Sequence, residues 1–269
     1  MTQPTHPIKI AFFDIDDTLY YKAAQIIPAS VTEKVLPALK AQGIIPAIAT
    51  GRCYGAFPDA LKPLVEAGQF EFFVTINGQH NRYQDQLISH YPLSKERIEQ
   101  VIAGLKSLGI AYAFVCNDEI AVSEITPQID EALKPIKADY ICDPLYYQAH
   151  TVIQMLAFYS QEENEKVLAS GLLGDDLKEV RWHAYSVDIL NKHNSKARGI
   201  ADVLAHFGWG PEDAVAFGDG LNDIEMMQGV GLSVAMGNAD EKVKALASMV
   251  TDPVWEDGIY TACKRLGIC

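Results

Sequence analysis

The chain has 269 residues and a formal net charge of −13, with 49% apolar and 21% charged residues. That balance supplies enough apolar material for a core without a disulfide or metal staple, suits one large or two modest domains, and argues against nucleic acid and anionic membranes as main partners. Five scattered cysteines, an odd count with no CxxC pair, fit a reduced cytoplasmic chain, and neither a leader at the polar start nor an apolar run near about 18 residues is expected.

In chain order, residues 8–14 form a compact apolar run that ends abruptly in carboxylates. This is the pattern of a buried central strand with function at its C-terminal end. Residues 30–42 carry Val31, Val35, Leu36 and Leu39 at helical spacing, with Ser30 and Glu33 set as a capping box and Gly43 beyond the end. Residues 44–49 read as a second strand running into Thr50-Gly51-Arg52. A helix follows, with Pro58 near its start and Gly68 past its end, and residues 72–76 read as a third strand ending in Asn77-Gly78. Strand–helix alternation of this kind predicts an α/β fold, with a doubly wound, mainly parallel Rossmann-like sheet. Binding sites in such sheets gather at C-terminal strand ends.

The rhythm changes after about residue 81. Helices over 98–108 and 162–170 mix with strands over 112–116, 151–159 and 180–185, and this α+β stretch holds no chemical motif. After about residue 185 the first rhythm returns: a helix over 196–207, a strand over 214–217 ending in Gly218-Asp219-Gly220, a helix from 223, a strand over 232–236 and a helix over 240–247. Trp255 is expected to pack a closing helix. The organisation predicted is a discontinuous core, 1–81 plus 186–269, with an inserted α+β cap over 82–185.

Four segments hold polar groups that core packing does not explain. Asp14-Ile15-Asp16-Asp17-Thr18 crowds carboxylates at a strand end, where their repulsion calls for a cation. Hard oxygen ligands suit Mg²⁺, which takes few carboxylates and a phosphate oxygen; a solvated acidic turn is the plainer alternative. Thr50-Gly51-Arg52 offers a hydroxyl and backbone N–H groups suited to phosphate oxygens, or simply a helix cap. Lys196 at a helix start opposes the macrodipole unless it reaches an acidic site; otherwise it is a surface lysine, with Lys192 as competitor. In Gly218-Asp219-Gly220-Leu221-Asn222-Asp223 glycines flank one carboxylate and a second opens the next helix, which also describes an ordinary capped loop. The six histidines from His80 onward show no metal-ligand spacing, and Tyr146, Tyr147, Tyr159 and Trp182 read as core.

Taken in order, DIDDT, TGR, lysine and GDGLND resemble the haloacid dehalogenase superfamily of phosphohydrolases. The large insert between TGR and the lysine, together with AIATGR and the stretch from Ala216 to Asn238, is similar to its Cof-type subfamily with a type IIB cap. The resemblance implies Asp14 as nucleophile through an aspartyl-phosphate and Asp16 as acid and then base. It implies Mg²⁺ held by Asp14, the Asp16 carbonyl and Asp219, with Asp223 in support. Thr50, Gly51, Arg52, Asn222 and Lys196 are the expected phosphate-holding residues. Asp17 stands where many members carry glycine, and Lys196 lacks the glycine that often follows directly. The expected substrate is a small phosphate ester. A sugar phosphomutase and a catalytically silent binding or regulatory protein remain as alternatives.

Overall fold

A computed structural model describes residues 6–269. The chain divides into two compact units, Met1–Gly51 with Pro58–Ser89 and Ser195–Cys269, and Arg52–Phe57 with His90–Asn194.

The first unit opens with β1 (Ile10–Phe13), a helical stretch, β2 (Ile45–Ala49), a short helix and β3 (Phe72–Thr75), continuing through β4 (His80–Tyr83) into β5 (Gln86–His90). Strands β6 (Ala111–Val115), β7 (Ile120–Val122), β8 (Ile141–Cys142), β9 (Gln154–Phe158), β10 (Leu177–His183) and β11 (Ser186–Asn191) build the second unit. The chain then returns with β12 (Ala214–Gly218), β13 (Leu232–Ala235) and β14 (Met249–Val250).

The first sheet runs β14-β13-β12-β1-β2-β3-β4-β5, parallel from β14 through β3 and antiparallel at β3–β4. From β1 the strand order proceeds one way through β2 and β3 and the other way through β12 to β14. The switch therefore lies between β1 and β12, where ligands of doubly wound sheets bind. Strands buried on both faces explain the unbroken apolar runs. Ile10, Phe12, Ala47, Phe72, Val74 and Ala216 pack on one face against Ile200, Val203 and Met226. On β1 and β12, Phe13 and Phe217 stack with ring centroids 4.8 Å apart.

The helices are α1 (Leu36–Ala41), α2 (Lys62–Glu66), α3 (Lys95–Ser107), α4 (Pro127–Leu133), α5 (Asn164–Ala169), α6 (Lys196–His206), α7 (Ile224–Gly229), α8 (Glu241–Leu246) and α9 (Gly258–Arg265). Two expectations fail locally. The helix over 30–42 begins with a π-helical turn at Val31–Val35, and Ser30 does not cap it. Ser30 is itself helical (φ −59°, ψ −31°) and lacks the extended backbone of a cap, and its hydroxyl donates to Asp257 at 2.6 Å. Trp255 is 54% exposed and lies tilted against Tyr21 rather than packing a helix.

The second unit is a six-stranded sheet, β10-β11-β9-β6-β7-β8, largely antiparallel. Its own core joins Ile98, Val101 and Leu105 of α3 to Tyr112, Phe114, Met155 and Val187 of the sheet. Both unit boundaries lie eight or nine residues beyond those expected from sequence. β4 and β5 extend the first sheet, tied by Asn81 Nδ2 to Ser89 Oγ (3.0 Å) and by Ser89 Oγ to Asp202 of α6 (2.6 Å). β11 pairs between β9 and β10 in the second sheet and so carries residues 186–191 into that unit. Residues 52–57 join it too: the Gly55 amide donates to the Asn117 carbonyl at 3.1 Å. Among the described residues no helix is long and apolar enough to cross a membrane.

Candidate active site

Asp14 stands one residue past β1, where its amide still donates to the Phe217 carbonyl at 3.0 Å. Phe13 is in register with Phe217 on one side and Ile48 on the other, so Asp14 emerges between the ends of β12 and β2. The chain then doubles back: the amides of Leu19 and Tyr20 both donate to the Ile15 carbonyl, at 3.0 and 2.8 Å. Buried Ile15 and Leu19 pin this loop, leaving Asp16 half-exposed. Asp17, for which the sequence suggested no role, is the residue in the left-handed region (φ 54°). Its carboxylate accepts from the Lys22 amide at 3.1 Å and pairs with Lys22 Nζ at 3.0 Å, so it shapes the loop.

Lys196, the first residue of α6, is fully buried, and so is not the surface lysine its position permits. Its ammonium donates to Asp14 Oδ1 at 2.6 Å and to Asp223 Oδ1 at 2.7 Å. Lys192 is exposed, which ends its candidacy. The other oxygen of Asp223 accepts from the amides of Asp219 and Gly220, both at 2.9 Å. Asp223 is therefore largely saturated by protein donors and fixes the loop that presents Asp219. Glycine is required at 218, since a Cβ there would lie 2.6 Å from the Asp223 carboxylate.

Asp219 receives the Thr18 hydroxyl on Oδ1 at 3.0 Å. Thr18 was not singled out from sequence, although it ends the DIDDT motif. Asn238 was missed as well. It donates to the Asp17 carbonyl at 2.8 Å and accepts from the Val254 amide at 2.9 Å, tying the acidic loop to the chain after β14. An asparagine in a loop after a short strand carries no periodic signal that would have flagged it.

Thr50 is buried at the end of β2; its amide donates to Val74 and its carbonyl accepts from the Asn77 amide. Gly51 faces Asn77 and Asn222: a Cβ would meet Asn77 Oδ1 at 3.1 Å and Asn222 Nδ2 at 3.6 Å. Asn222 Nδ2 lies 3.4 Å from Asn77 Oδ1. Thr50, Gly51, Asn222 and Lys196 thus belong to the strand-end cluster. Arg52 groups with the second unit, where it is buried and Nη1 donates to the Ala56 carbonyl at 2.7 Å and the Ile136 carbonyl at 3.1 Å. Those bonds use one nitrogen of the guanidinium fork.

Electrostatics follow from burial. Desolvation, opposed by Lys196 and reinforced by Asp223 and Asp16, pushes the Asp14 carboxyl up from 3.8 to about 7. Desolvation, with the charges of Asp14 and Asp223, raises Asp219 to about 8. For Lys196 burial favours the neutral amine, but Asp14 and Asp223 outweigh it and keep the ammonium charged. With all three carboxylates ionised the cluster would carry more negative charge than one ammonium offsets, so without a cation it holds protons instead. Asp14, Asp219 and Asp223 each offer an oxygen within 4.8 Å of the others, and hard oxygen donors fit a hard divalent cation.

A family model for haloacid dehalogenase-like hydrolases matches residues 11–262. A Bacillus subtilis protein named "Putative phosphatase YkrA" is 37% identical over 262 residues, covering 97% of this chain and 98% of its own. BT4131, described as a HAD subclass IIB sugar phosphatase, superposes with a TM-score of 0.85 at 32% identity, covering 97% of this chain and all of its own. A structure from a study of a trigonal-bipyramidal intermediate in a phosphoryl-transfer superfamily gives a TM-score of 0.86 at 32% identity, with 97% of this chain and 100% of that one covered. The strand-end carboxylates, the lysine that bridges them and the family match over nearly the whole chain lead to one assignment: this protein belongs to the haloacid dehalogenase-like hydrolases and is a phosphatase of that family.

Proposed function

We propose that the protein is a Mg²⁺-dependent phosphatase of small phosphorylated metabolites, acting in the cytoplasm through an aspartyl-phosphate on Asp14. The observation that carries this reading is the buried Lys196 ammonium held between Asp14 and Asp223 at the sheet's switch point. Asp14, whose Oδ1 accepts from the Lys196 ammonium, attacks phosphorus. Asp16, half-exposed beside it, protonates the leaving alkoxide and then takes the proton of the water that hydrolyses the acyl-phosphate. Lys196, the Thr50 hydroxyl, Gly51 and Asn222 hold the phosphoryl oxygens; positioning and charge neutralisation supply most of the rate in such transfers.

Asp14, the Asp16 carbonyl and Asp219 would hold Mg²⁺. Asp223 orients Asp219 and Lys196 and would act on the ion through water at most. When bound, the ion supplies positive charge that offsets the carboxylates and the phosphate. Sugar phosphates are the first substrate class to try, because BT4131 is described as a sugar phosphatase. The second unit, an insert between the TGR and lysine segments, is assigned the choice among substrates.

Phosphate release from a panel of phosphorylated metabolites tests the activity. Asp14→Asn keeps the side chain's shape and removes the attacking charge, so hydrolysis should fall by about a thousandfold or more with folding intact. Near-normal turnover in that variant would refute the mechanism.

A further inference from the structure

The chemistry proposed above uses none of the five cysteines, and two of them stand at one turn. Cys263 is fully buried on α9, beside Ile259 and Ala262. Beyond the helix the chain reverses at Gly267, which takes φ +73° and whose amide donates to the Lys264 carbonyl at 3.2 Å. The amides of Ile268 and Cys269 then both return to the Cys263 carbonyl, at 2.8 and 3.3 Å. The turn is held from outside as well: Gln42 Nε2 donates to the carbonyls of Gly267 (3.2 Å) and Ile268 (2.7 Å), and Ile268 is buried. Six residues apart in sequence, Cys263 and Cys269 are thereby brought together by the turn, and each thiol shifts the other's proton affinity. One sulfur is buried and the other exposed.

We propose that Cys263 and Cys269 form a redox modification site, oxidised to an intrachain disulfide by a small disulfide of the glutathione type and reversed by the matching thiol. The exposed Cys269 thiolate attacks one sulfur of the small disulfide. That S–S bond breaks, a mixed disulfide forms on Cys269, and the released thiolate takes a proton from water. Cys263 then gives up its proton, its sulfur attacks Cys269 Sγ, and the second small thiolate leaves and is protonated. Two protein thiols are oxidised and one small disulfide is reduced to two small thiols.

The roles follow from exposure: Cys269 is open to a small disulfide and Cys263 is buried, so Cys263 reacts second. The neighbouring sulfur lowers Cys269 to about 7 against the opposing effect of burial and, together with burial, raises Cys263. Cys53 and Cys116 of the second unit are a contrast. Burial pushes each to about 12, so both stay protonated and inert. Cys142 is exposed on β8 and provides an internal comparison.

The test uses the full-length reduced protein, treated with oxidised glutathione at neutral pH, alkylated and cut with trypsin. Lys264 and Arg265 lie between the two cysteines, so the disulfide would join two separate peptides that mass spectrometry reads directly. The expected product is that linked pair, with at most a glutathione adduct on Cys142. Cys263→Ser should stop at a stable adduct on Cys269, and Cys269→Ser should leave Cys263 unmodified. Alkylation of Cys269 should also show a midpoint near pH 7 that moves upward in Cys263→Ser. Should Cys263→Ser fail to fold, the wild-type peptide map and the exposed-site variant decide alone. A lasting adduct on Cys269 in the wild type, first modification at Cys263, or modification of Cys142 ahead of Cys269 would each overturn the proposal.

Discussion

Asp14 and Asp219 hold their protons more tightly in the folded chain, at about 7 and about 8, than an unfolded carboxyl near 3.8 does. Between those values the metal-free folded protein binds more protons than the unfolded chain. Its stability is therefore lost as pH rises from about 4 to about 8. Thermal melts of the chelated protein should show that downward slope, Asp14→Asn should flatten it in part, and excess Mg²⁺ should remove most of it. A chelated protein whose melting temperature rises through this window would contradict the electrostatics described. Charged residues at strand ends were readable because nothing in a core demands them: Asp14, Asp219 and Lys196 stand out after apolar runs or at a helix start. Thr18 and Asn238 were not, since a hydroxyl or amide in a loop looks the same whether it ties the loop together or meets water.

At the level of elements, the glycine expected directly after Lys196 has a counterpart three residues further on. Gly199 of α6 lies against the turn after β3: a Cβ there would sit 2.5 Å from Asn81 Oδ1, 2.6 Å from Val74 Cγ1 and 2.7 Å from Gly78 Cα. Gly78 returns the contact, at φ +81° and with a Cβ position 2.2 Å from the Ser195 carbonyl. This close approach sets where α6 begins and hence where Lys196 points. Gly199→Ala should cost about 1–3 kcal/mol of stability, and at temperatures where the variant stays folded kcat should fall while the exposed surface is untouched. Melting curves and steady-state kinetics check both. The buried parallel strands were legible as apolar runs. β4 was not: His80-Asn81-Arg82-Tyr83 is polar, and it forms a strand because β3 offers an antiparallel edge. The π-helical start before α1 was equally hidden, since helical spacing of Val31, Val35 and Leu36 serves either form.

Across the whole molecule, each unit owns its apolar core: one cluster runs from Ile98 to Ile189, the other joins Ile10 to Val243 through the first sheet. Among the described residues the carboxylates able to hold a cation all belong to the first unit. Calorimetry should therefore resolve two transitions, and saturating Mg²⁺ should raise one. At a hundredfold excess over Kd the first unit's transition should move by roughly 5–10 °C, leaving the second in place; equal movement of both would show that the units do not unfold independently. The existence of an insert was legible from the change of rhythm along the chain. Its edges were not, because β5 and β11 have similar composition and only pairing partners tell which sheet each serves.

The second unit is assembled from two separated stretches, with the hexapeptide Arg52–Phe57 as its smaller part. This bears on any attempt to exchange substrate preference by recombining relatives. A chimera that transplants residues 90–194 alone would strand the host's Arg52 opposite a foreign carbonyl in place of Ile136. It would also set the host's Gly55 against a new backbone at 118, where a Cβ would have only 1.8 Å to the Asp118 carbonyl. A graft that carries both stretches keeps those contacts native, and its seams fall after Gly51, after Phe57, before His90 and before Ser195, the first and last of them beside Thr50 and Lys196.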